Sequence, residues 1–131
     1  MTKKIFISHK HEDHGYRDQI KDWARRGLLG DVEIVSETQD VRQGGASAVR
    51  GHLRPIMASA DAAVVLVGQD THNRPWVDEE VHNLRSAGKP VVPVRLPNTT
   101  GAPPPEVRNQ RINDYSPADL KQAIDTALKK R

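Results

Sequence analysis

The sequence predicts an α/β fold in which a parallel β-sheet is covered by helices on both faces. Four short runs of residues are too uniformly apolar to form half-exposed strands, and such runs are typical of strands buried on both faces. Segments with apolar residues at helical spacing lie between these runs. Because parallel strands need crossover connections, this alternation indicates a doubly wound sheet.

The predicted strands are short and follow one another along most of the chain. Four of them cover residues 3–8, 32–35, 62–67 and 90–95, and a weaker fifth strand is expected near Val107–Ile112. We predict the flavodoxin-like strand order 2-1-3-4-5. In such sheets, ligands bind beyond the carboxyl ends of the strands, near the switch between the first and third strands. Functional residues are therefore expected in the loops at that edge.

Two amphipathic segments are expected to form the first two helices. The inward-facing residues of the first helix are Tyr16, Ile20, Trp23, Ala24 and Leu28. Those of the second helix are Val49, Leu53, Ile56 and Met57. Each stripe can cover part of the sheet.

Capping signals mark the last two helices. Pro75 suits the first position of the third helix, which should end at Gly88. Ser116 is expected to cap the fourth helix, with Pro117 just inside it. The proline-rich stretch Leu96–Glu106 between them is expected to be a loop and not a domain boundary.

Composition limits the classes of protein to consider. The chain has 131 residues, 36% hydrophobic and 28% charged, so we expect one folded domain over residues 1–131. No apolar run is long enough to span a bilayer, and the first residues resemble a strand more than a secretory signal, so we expect a cytoplasmic protein. The absence of cysteine excludes a thiolate nucleophile. A net charge of +3 without long basic runs does not indicate nucleic-acid binding.

The first loop contains a segment with the spacing of a metal-binding motif. Residues 9–14, His-Lys-His-Glu-Asp-His, resemble the H-x-H-x-D-H signature of the metallo-β-lactamase fold, in which such side chains bind zinc. That fold needs strands before the motif and more ligands after it, whereas eight residues precede His9. A metal-dependent hydrolase is therefore kept as an alternative, and we predict that the histidines line or flank a nucleotide cleft without a metal.

Two segments at the expected ligand-binding edge combine polar residues with strand ends. The first predicted strand ends at Ser8, His9 follows it directly, and Asp13 comes a few positions later. The loop after the second strand contains Arg42 and Gly44. Because the carboxyl ends of parallel strands meet at one edge, these two segments should lie close together.

The third segment is the most specific. The apolar run at residues 62–67 is followed by residues 73–81, Asn-Arg-Pro-Trp-Val-Asp-Glu-Glu-Val. Together, the three segments resemble Toll/interleukin-1 receptor (TIR) domains, and most of all the bacterial stand-alone TIR-like proteins of the Thoeris type. The Arg-Asp-x-x-Pro-Gly form of many receptors is absent from the second segment, which disfavours the behaviour of an animal adaptor.

The resemblance implies an enzyme that consumes NAD. In enzymatic TIR domains, the catalytic glutamate follows a tryptophan by four positions, which corresponds here to Trp76 and Glu80 and places both on one helix face. Glu80 would be the catalytic carboxylate. The residues that would bind the substrate are Ser8, His9, Asp13, Arg42, Gly44 and Trp76. NAD would be a substrate, and neither a cofactor nor a metal would be required.

One carboxylate is sufficient for this chemistry. Breaking the bond between nicotinamide and ribose builds positive charge on the ribose, which a nearby carboxylate stabilises. The chain has no G-x-G-x-x-G or G-x-x-x-x-G-K-[ST] loop, so a role for NAD as a hydride carrier is not indicated. Alternatively, Glu79 and Glu80 are exposed charges in the first turns of a helix, where the dipole favours acidic residues. The spacing from Trp76 favours the functional interpretation.

The same resemblance implies partners and leaves alternatives. The product would be ADP-ribose or a cyclic isomer, which would signal to a separate effector in anti-phage defence. Self-association is expected through the loop after the second strand. The alternatives are a non-enzymatic TIR scaffold and, in a related sheet, a nucleoside deoxyribosyltransferase-like enzyme.

Overall fold

The computed structural model describes residues 2–9, 13–35, 55–69 and 75–129, without the side chains of residues 75 and 76. The strands are β1 (Lys3–Ser8), β2 (Val32–Val35), β3 (Ala62–Val67), β4 (Val91–Arg95) and β5 (Asn113–Asp114). The helices are α1 (His14–Arg25), α2 (Pro75–Ser86) and α3 (Pro117–Lys129), with a 3-10 helix at Pro105–Val107. Residues 55–59 are also helical. In the described ranges, no helix is long and apolar enough to cross a membrane.

The strands form one parallel sheet in the order β2-β1-β3-β4-β5, which confirms the predicted topology. In the register, Ile5 of β1 lies between Ile34 of β2 and Ala62 of β3. The chain therefore crosses from one side of β1 to the other between β2 and β3. This crossover creates the switch point at the carboxyl ends of β1 and β3.

Successive residues of the central strands point to opposite faces of the sheet, and each face has its own core. On one face, Ile5 and Ile7 of β1 pack in a cluster with residues of α1 and α3. On the other face, Phe6 packs with residues of α2 and of the helical segment 55–59. All six side chains of β3 are buried, as expected for a strand covered on both sides.

The predicted inward face of the first helix is wrong at its last position. The helix ends at Arg25, and Leu28 is 42% exposed. The reason is the turn that follows, in which Gly27 adopts a left-handed φ of 78° that a helix cannot continue. The turn rotates the chain, so that Leu29 is buried in the core in place of Leu28.

The predicted fifth strand is also misplaced. Residues near Val107–Ile112 do not form a strand, and β5 is the two-residue segment that pairs with Val94 and Arg95 of β4. The chain turns instead, because the 3-10 helix ends at Val107, whose carbonyl accepts a hydrogen bond from the Gln110 N–H at 3.1 Å. The strand can begin only after this turn.

The predicted end of α2 and the predicted start of α3 are confirmed. Gly88 has a φ of 79°, and the Lys89 N–H donates to the Leu84 carbonyl at 2.9 Å, which closes α2. At the start of α3, the Ser116 Oγ accepts from the Asp119 N–H at 3.2 Å and donates to the Asp119 carboxylate at 2.7 Å. In the second predicted helix, Ile56 and Met57 are in the core as expected. Val49 and Leu53 lie outside the described residues.

Candidate functional site

Glu80 lies on the stripe of α2 that faces the sheet. Val77, Val81 and Leu84 share this stripe at helical spacing, and all three are buried in the core. The Glu80 side chain is 0% exposed. Burying a carboxylate among apolar residues is costly unless polar groups solvate it. The position therefore predicts a hydrogen-bond donor opposite Glu80.

Ser8 provides such a donor from the carboxyl end of β1. Its Oγ donates to the Glu80 Oε1 at 2.6 Å, although 72 residues separate the two in sequence. Ser8 is also fully buried. The bond is short, within the range of hydrogen bonds between a hydroxyl and a carboxylate oxygen. It connects the end of β1 with the second turn of α2.

The buried polar residues of the described ranges coincide with the predicted site. Four polar or charged residues are buried there, and all four are predicted site residues: Ser8, His9, Asp13 and Glu80. His9 directly follows β1, and Asp13 directly precedes α1, where the helix dipole favours an acidic side chain. The structure thus places four residues from two distant segments at the edge predicted to bind a ligand.

The other predicted residues are described in part or not at all. Trp76 lies in the first turn of α2, so Trp76 and Glu80 are four positions apart in one helix, as the spacing predicted. The side chain of Trp76 is not described, and Arg42 and Gly44 lie outside the described residues. Of the possible metal ligands, His11 lies outside them too, and the described ranges contain no cluster of three or more metal-ligating side chains.

Glu79, the neighbour of Glu80, lies on another flank of α2. It lines a groove of about 380 Å³ together with His82 of the same helix and Pro104 and Glu106 of the proline-rich segment. The alternative in which both glutamates are exposed charges therefore fails for Glu80, which is fully buried. Glu79 is half-buried at the rim of this groove.

His82 forms an ion pair on the same outer flank. Its Nδ1 lies 2.9 Å from the Glu106 Oε1, and both side chains are largely exposed. The hydrogen bond with Glu106, and then its negative charge, raise the pKa of His82 above its ordinary value of 6.5. This pair connects α2 to the 3-10 helix, on the flank of α2 opposite Glu80.

The proline-rich segment also reaches the site edge, which the sequence analysis missed. Thr100 contacts Gln69 just beyond β3, and Gly101 is buried against the backbone of Gly68 and Gln69. The contact joins residues 31 positions apart. Neither residue belongs to a repeating hydrophobic pattern, so periodicity in the sequence does not indicate this contact. The signal in the sequence was Gly101, which lies between a Thr-Thr pair and the prolines.

Comparison with known proteins identifies a family for this chain. The family model described as "Thoeris protein ThsB, TIR-like domain" matches residues 6–101, a range that includes every predicted site residue. Among solved structures, the chain is similar to the TIR domain of the Toll-related receptor TRR-2 from Hydra magnipapillata, with a TM-score of 0.62 and 12% identity over 96% of this chain and 94% of that one. At that identity, the likeness shows the fold alone. No curated protein matches the sequence.

Proposed function

The chain belongs to the family of the TIR-like domain of the Thoeris protein ThsB, and from that premise we propose that it cleaves the bond between nicotinamide and ribose in NAD. The products are nicotinamide and either ADP-ribose or a cyclic isomer of it. The observation that carries this proposal is the Glu80 carboxylate, which is fully buried and accepts a hydrogen bond from Ser8.

The proposed reaction needs a negative charge beside the ribose. When the glycosidic bond breaks, its electron pair leaves with the nicotinamide ring, which is cationic in NAD and becomes neutral. The positive charge moves to the ribose, where Glu80 stabilises it. Water then attacks the ribose and releases a proton, which gives ADP-ribose, or a nucleophilic atom of the same molecule attacks and gives the cyclic isomer.

Burial supports this role for Glu80. A carboxylate removed from water interacts more strongly with a developing cation than an exposed one does. The Ser8 hydroxyl holds one carboxylate oxygen at 2.6 Å, so the group is oriented before substrate binds. We assign His9 and Asp13 to the wall of the nucleotide site. Arg42, Gly44 and Trp76 are assigned to substrate binding by family resemblance.

A product assay tests the proposal. Purified protein is incubated with NAD, alone and after assembly is induced by crowding, and the products are separated by chromatography. Release of nicotinamide with ADP-ribose or a cyclic isomer supports the enzyme. NAD that stays intact in both conditions supports the scaffold alternative, and hydrolysis or transfer of deoxynucleosides supports the deoxyribosyltransferase alternative.

We also propose the setting of this reaction. The family is that of a Thoeris protein, and anti-phage defence is the setting consistent with it. The nucleotide product would act on a separate effector, and protomers would associate through the loop after β2. A cytoplasmic location suits an enzyme whose substrate is NAD.

A further inference from the structure

The segment after β4 packs directly against the end of β3. The Leu96 N–H donates to the Val67 carbonyl at 3.0 Å, and the Thr99 hydroxyl lies 3.3 Å from the same carbonyl oxygen. The Thr99 hydroxyl also donates to the Leu96 carbonyl at 2.8 Å. The turn is closed by Asn98, which adopts a left-handed φ of 61°. The carbonyl of Val67, the last residue of β3, is thus held by the segment that follows β4.

The next contact fixes Gln69, two residues beyond β3. The Thr100 N–H donates to the Gln69 Oε1 at 3.0 Å, and the Gln69 Nε2 donates to the Thr100 Oγ1 at 3.2 Å. Both ends of the Gln69 amide are therefore bound to one residue. The pair is exposed, so each bond stabilises the fold only modestly, but two bonds define the direction of the chain at Gln69.

Gly101 completes the contact through its backbone. A Cβ at this position would lie less than 3.0 Å from the carbonyl oxygens of both Gly68 and Gln69, closer than real Cβ atoms approach. Only glycine permits this approach. The backbone at Thr100–Gly101 therefore packs directly against the backbone of residues 68–69.

We propose that Gln69, together with Thr100 and Gly101, positions the Ser8–Glu80 pair. β3 is paired with β1 up to Ser8, and the segment that begins at Thr100 continues to Glu106 and Val107, which contact α2. Fixing Thr100 and Gly101 against Gln69 therefore links the end of β3, beside Ser8, to the segment that packs on the helix of Glu80. This inference rests on the proposed function for its effect on catalysis, and Gln69 acts as a positioning residue that need not touch the substrate.

Steady-state kinetics test the catalytic consequence. Thr100→Val keeps the shape of the side chain but removes the acceptor for Gln69, and Gln69→Ala removes both bonds. We expect each change to lower kcat about tenfold with KM changed less than about threefold, because a displaced reacting group lowers the rate more than it lowers binding. Thr100→Ser keeps the hydroxyl and should restore kcat to within about twofold of the wild type.

Tyr115→Phe is the matched control. It removes the hydroxyl that donates to the Tyr16 carbonyl and lies near the Gln19 side chain, on the other face of the sheet. A comparable loss of thermal stability is expected, with kcat unchanged. If Tyr115→Phe lowers kcat as much as Gln69→Ala does, or if Thr100→Ser behaves as Thr100→Val does, the positioning role is excluded.

Hydrogen exchange separates this inference from the proposed function. Gln69→Ala should speed exchange of the backbone amides at residues 79–84 of α2 about tenfold relative to Tyr115→Phe, whether or not NAD is consumed. If the wild type leaves NAD intact but this exchange changes as expected, the enzyme proposal fails and the positioning of α2 stands. If exchange in α2 is the same in both variants, the positioning proposal fails. Gly101→Ala should speed amide exchange in α2 more than Gln69→Ala does. If the Gly101→Ala variant does not fold, amide exchange in Thr100→Val decides the question.

Discussion

At the residue scale, the surroundings of Glu80 decide what its carboxylate can do. Glu79 and Glu80 are adjacent and chemically identical, but Glu80 is 0% exposed while Glu79 is half-buried beside a groove. A hydrogen bond to a charged group contributes about 1.5–3 kcal/mol, and Ser8 supplies one such bond to the Glu80 Oε1. A buried carboxylate that the fold solvates with its own polar groups, at the edge of the sheet where ligands bind, is typical of a functional site.

The first prediction compares the two glutamates. Glu80→Gln keeps the shape of the side chain and an oxygen that can accept the Ser8 hydrogen bond, but it removes the negative charge. We expect kcat/KM for NAD to fall at least about a hundredfold with the far-ultraviolet circular dichroism unchanged. Glu79→Gln is the matched control and should stay within about threefold of the wild type. Loss of activity in Glu79→Gln but not in Glu80→Gln would show that the helix register assigned to catalysis is wrong.

The second prediction concerns the donor to Glu80. Ser8→Ala leaves the buried carboxylate with one hydrogen bond fewer, so we expect the free energy of unfolding to fall by about 1–3 kcal/mol and kcat by about tenfold. Urea unfolding and NAD turnover measure the two effects. Ser59→Ala is the control, because the Ser59 hydroxyl donates at 2.7 Å to the Ile56 carbonyl at an exposed position, and its loss should cost less than about 0.5 kcal/mol. Equal losses in the two variants would argue against a special role for the buried pair.

At the scale of elements, α2 is attached to the rest of the fold on two flanks. Ser8 contacts its inner flank, and Glu106 contacts His82 on its outer flank. The second attachment is an ion pair that depends on pH. Because the fold raises the pKa of His82, protonation favours the folded state, and this contribution is complete below the ordinary value of 6.5. It is lost as the pH rises through the raised pKa.

The third prediction follows from that ion pair. In a proton NMR titration, the His82 midpoint should lie above 6.5 in the wild type and fall in Glu106→Gln, since the hydrogen bond with Glu106 and its charge are the main causes of the shift. Asp125→Asn removes a carboxylate that pairs with Lys121 on α3 and should leave the His82 midpoint unchanged. A midpoint that does not respond to Glu106→Gln would refute the assignment of the ion pair.

Local patterns explain which elements could be predicted from sequence. The central strands and the starts of α2 and α3 follow from apolar runs and from single capping residues, because these signals act within a few positions. The helical pattern gave the wrong result at Leu28, because the turn at Gly27 places Leu29 in the core and leaves Leu28 exposed. The strand pattern failed at β5, since a strand of two residues has no periodicity to detect.

The candidate site was predictable for a related reason. Ser8, His9 and Asp13 adjoin the end of β1, so their sequence position indicated their edge of the sheet. Glu80 was indicated by the resemblance to TIR domains, in which a glutamate follows a tryptophan by four positions. The contact of Gln69 with Thr100 was not predictable. Such a contact depends on how two loops meet after the strands have paired, and neither loop has a repeating pattern.

At the scale of the whole molecule, each face of the sheet has its own core, and Glu80 belongs to the helix that covers one of them. The Glu80 side of α2 and the segment 55–59 share one core, whereas α1 and α3 share the other. Ser8 and Glu80 lie where β1 and β3 end, and the loop after β2 leaves the sheet at the same edge because β2 is parallel to β1. A neighbouring protomer bound at that edge would therefore adjoin the buried carboxylate.

The last prediction concerns assembly. The loop after β2 contains Gln43-Gly44-Gly45-Ala46, and glycine loses more conformational freedom than any other residue when it is ordered. We expect a dilute monomer to consume NAD slowly, and contact with a second protomer through this segment to offset that cost, exclude water from the bound substrate and raise the specific activity at least about tenfold. Activity measured against protein concentration, with light scattering on the same samples, checks this expectation.

Substitutions separate assembly from stability. Replacing Gly44 and Gly45 with valine should reduce association and NAD turnover in parallel. The melting temperature of the monomer should change little, because the sequence predicts a loop here and substitutions in exposed loops usually change stability by less than about 0.5 kcal/mol. Gly15→Ala is the control, since a Cβ at that helical position meets no atom within 4 Å and should leave both properties intact. Full activity in a sample shown to be monomeric would contradict the prediction, because the site would then be complete within one chain.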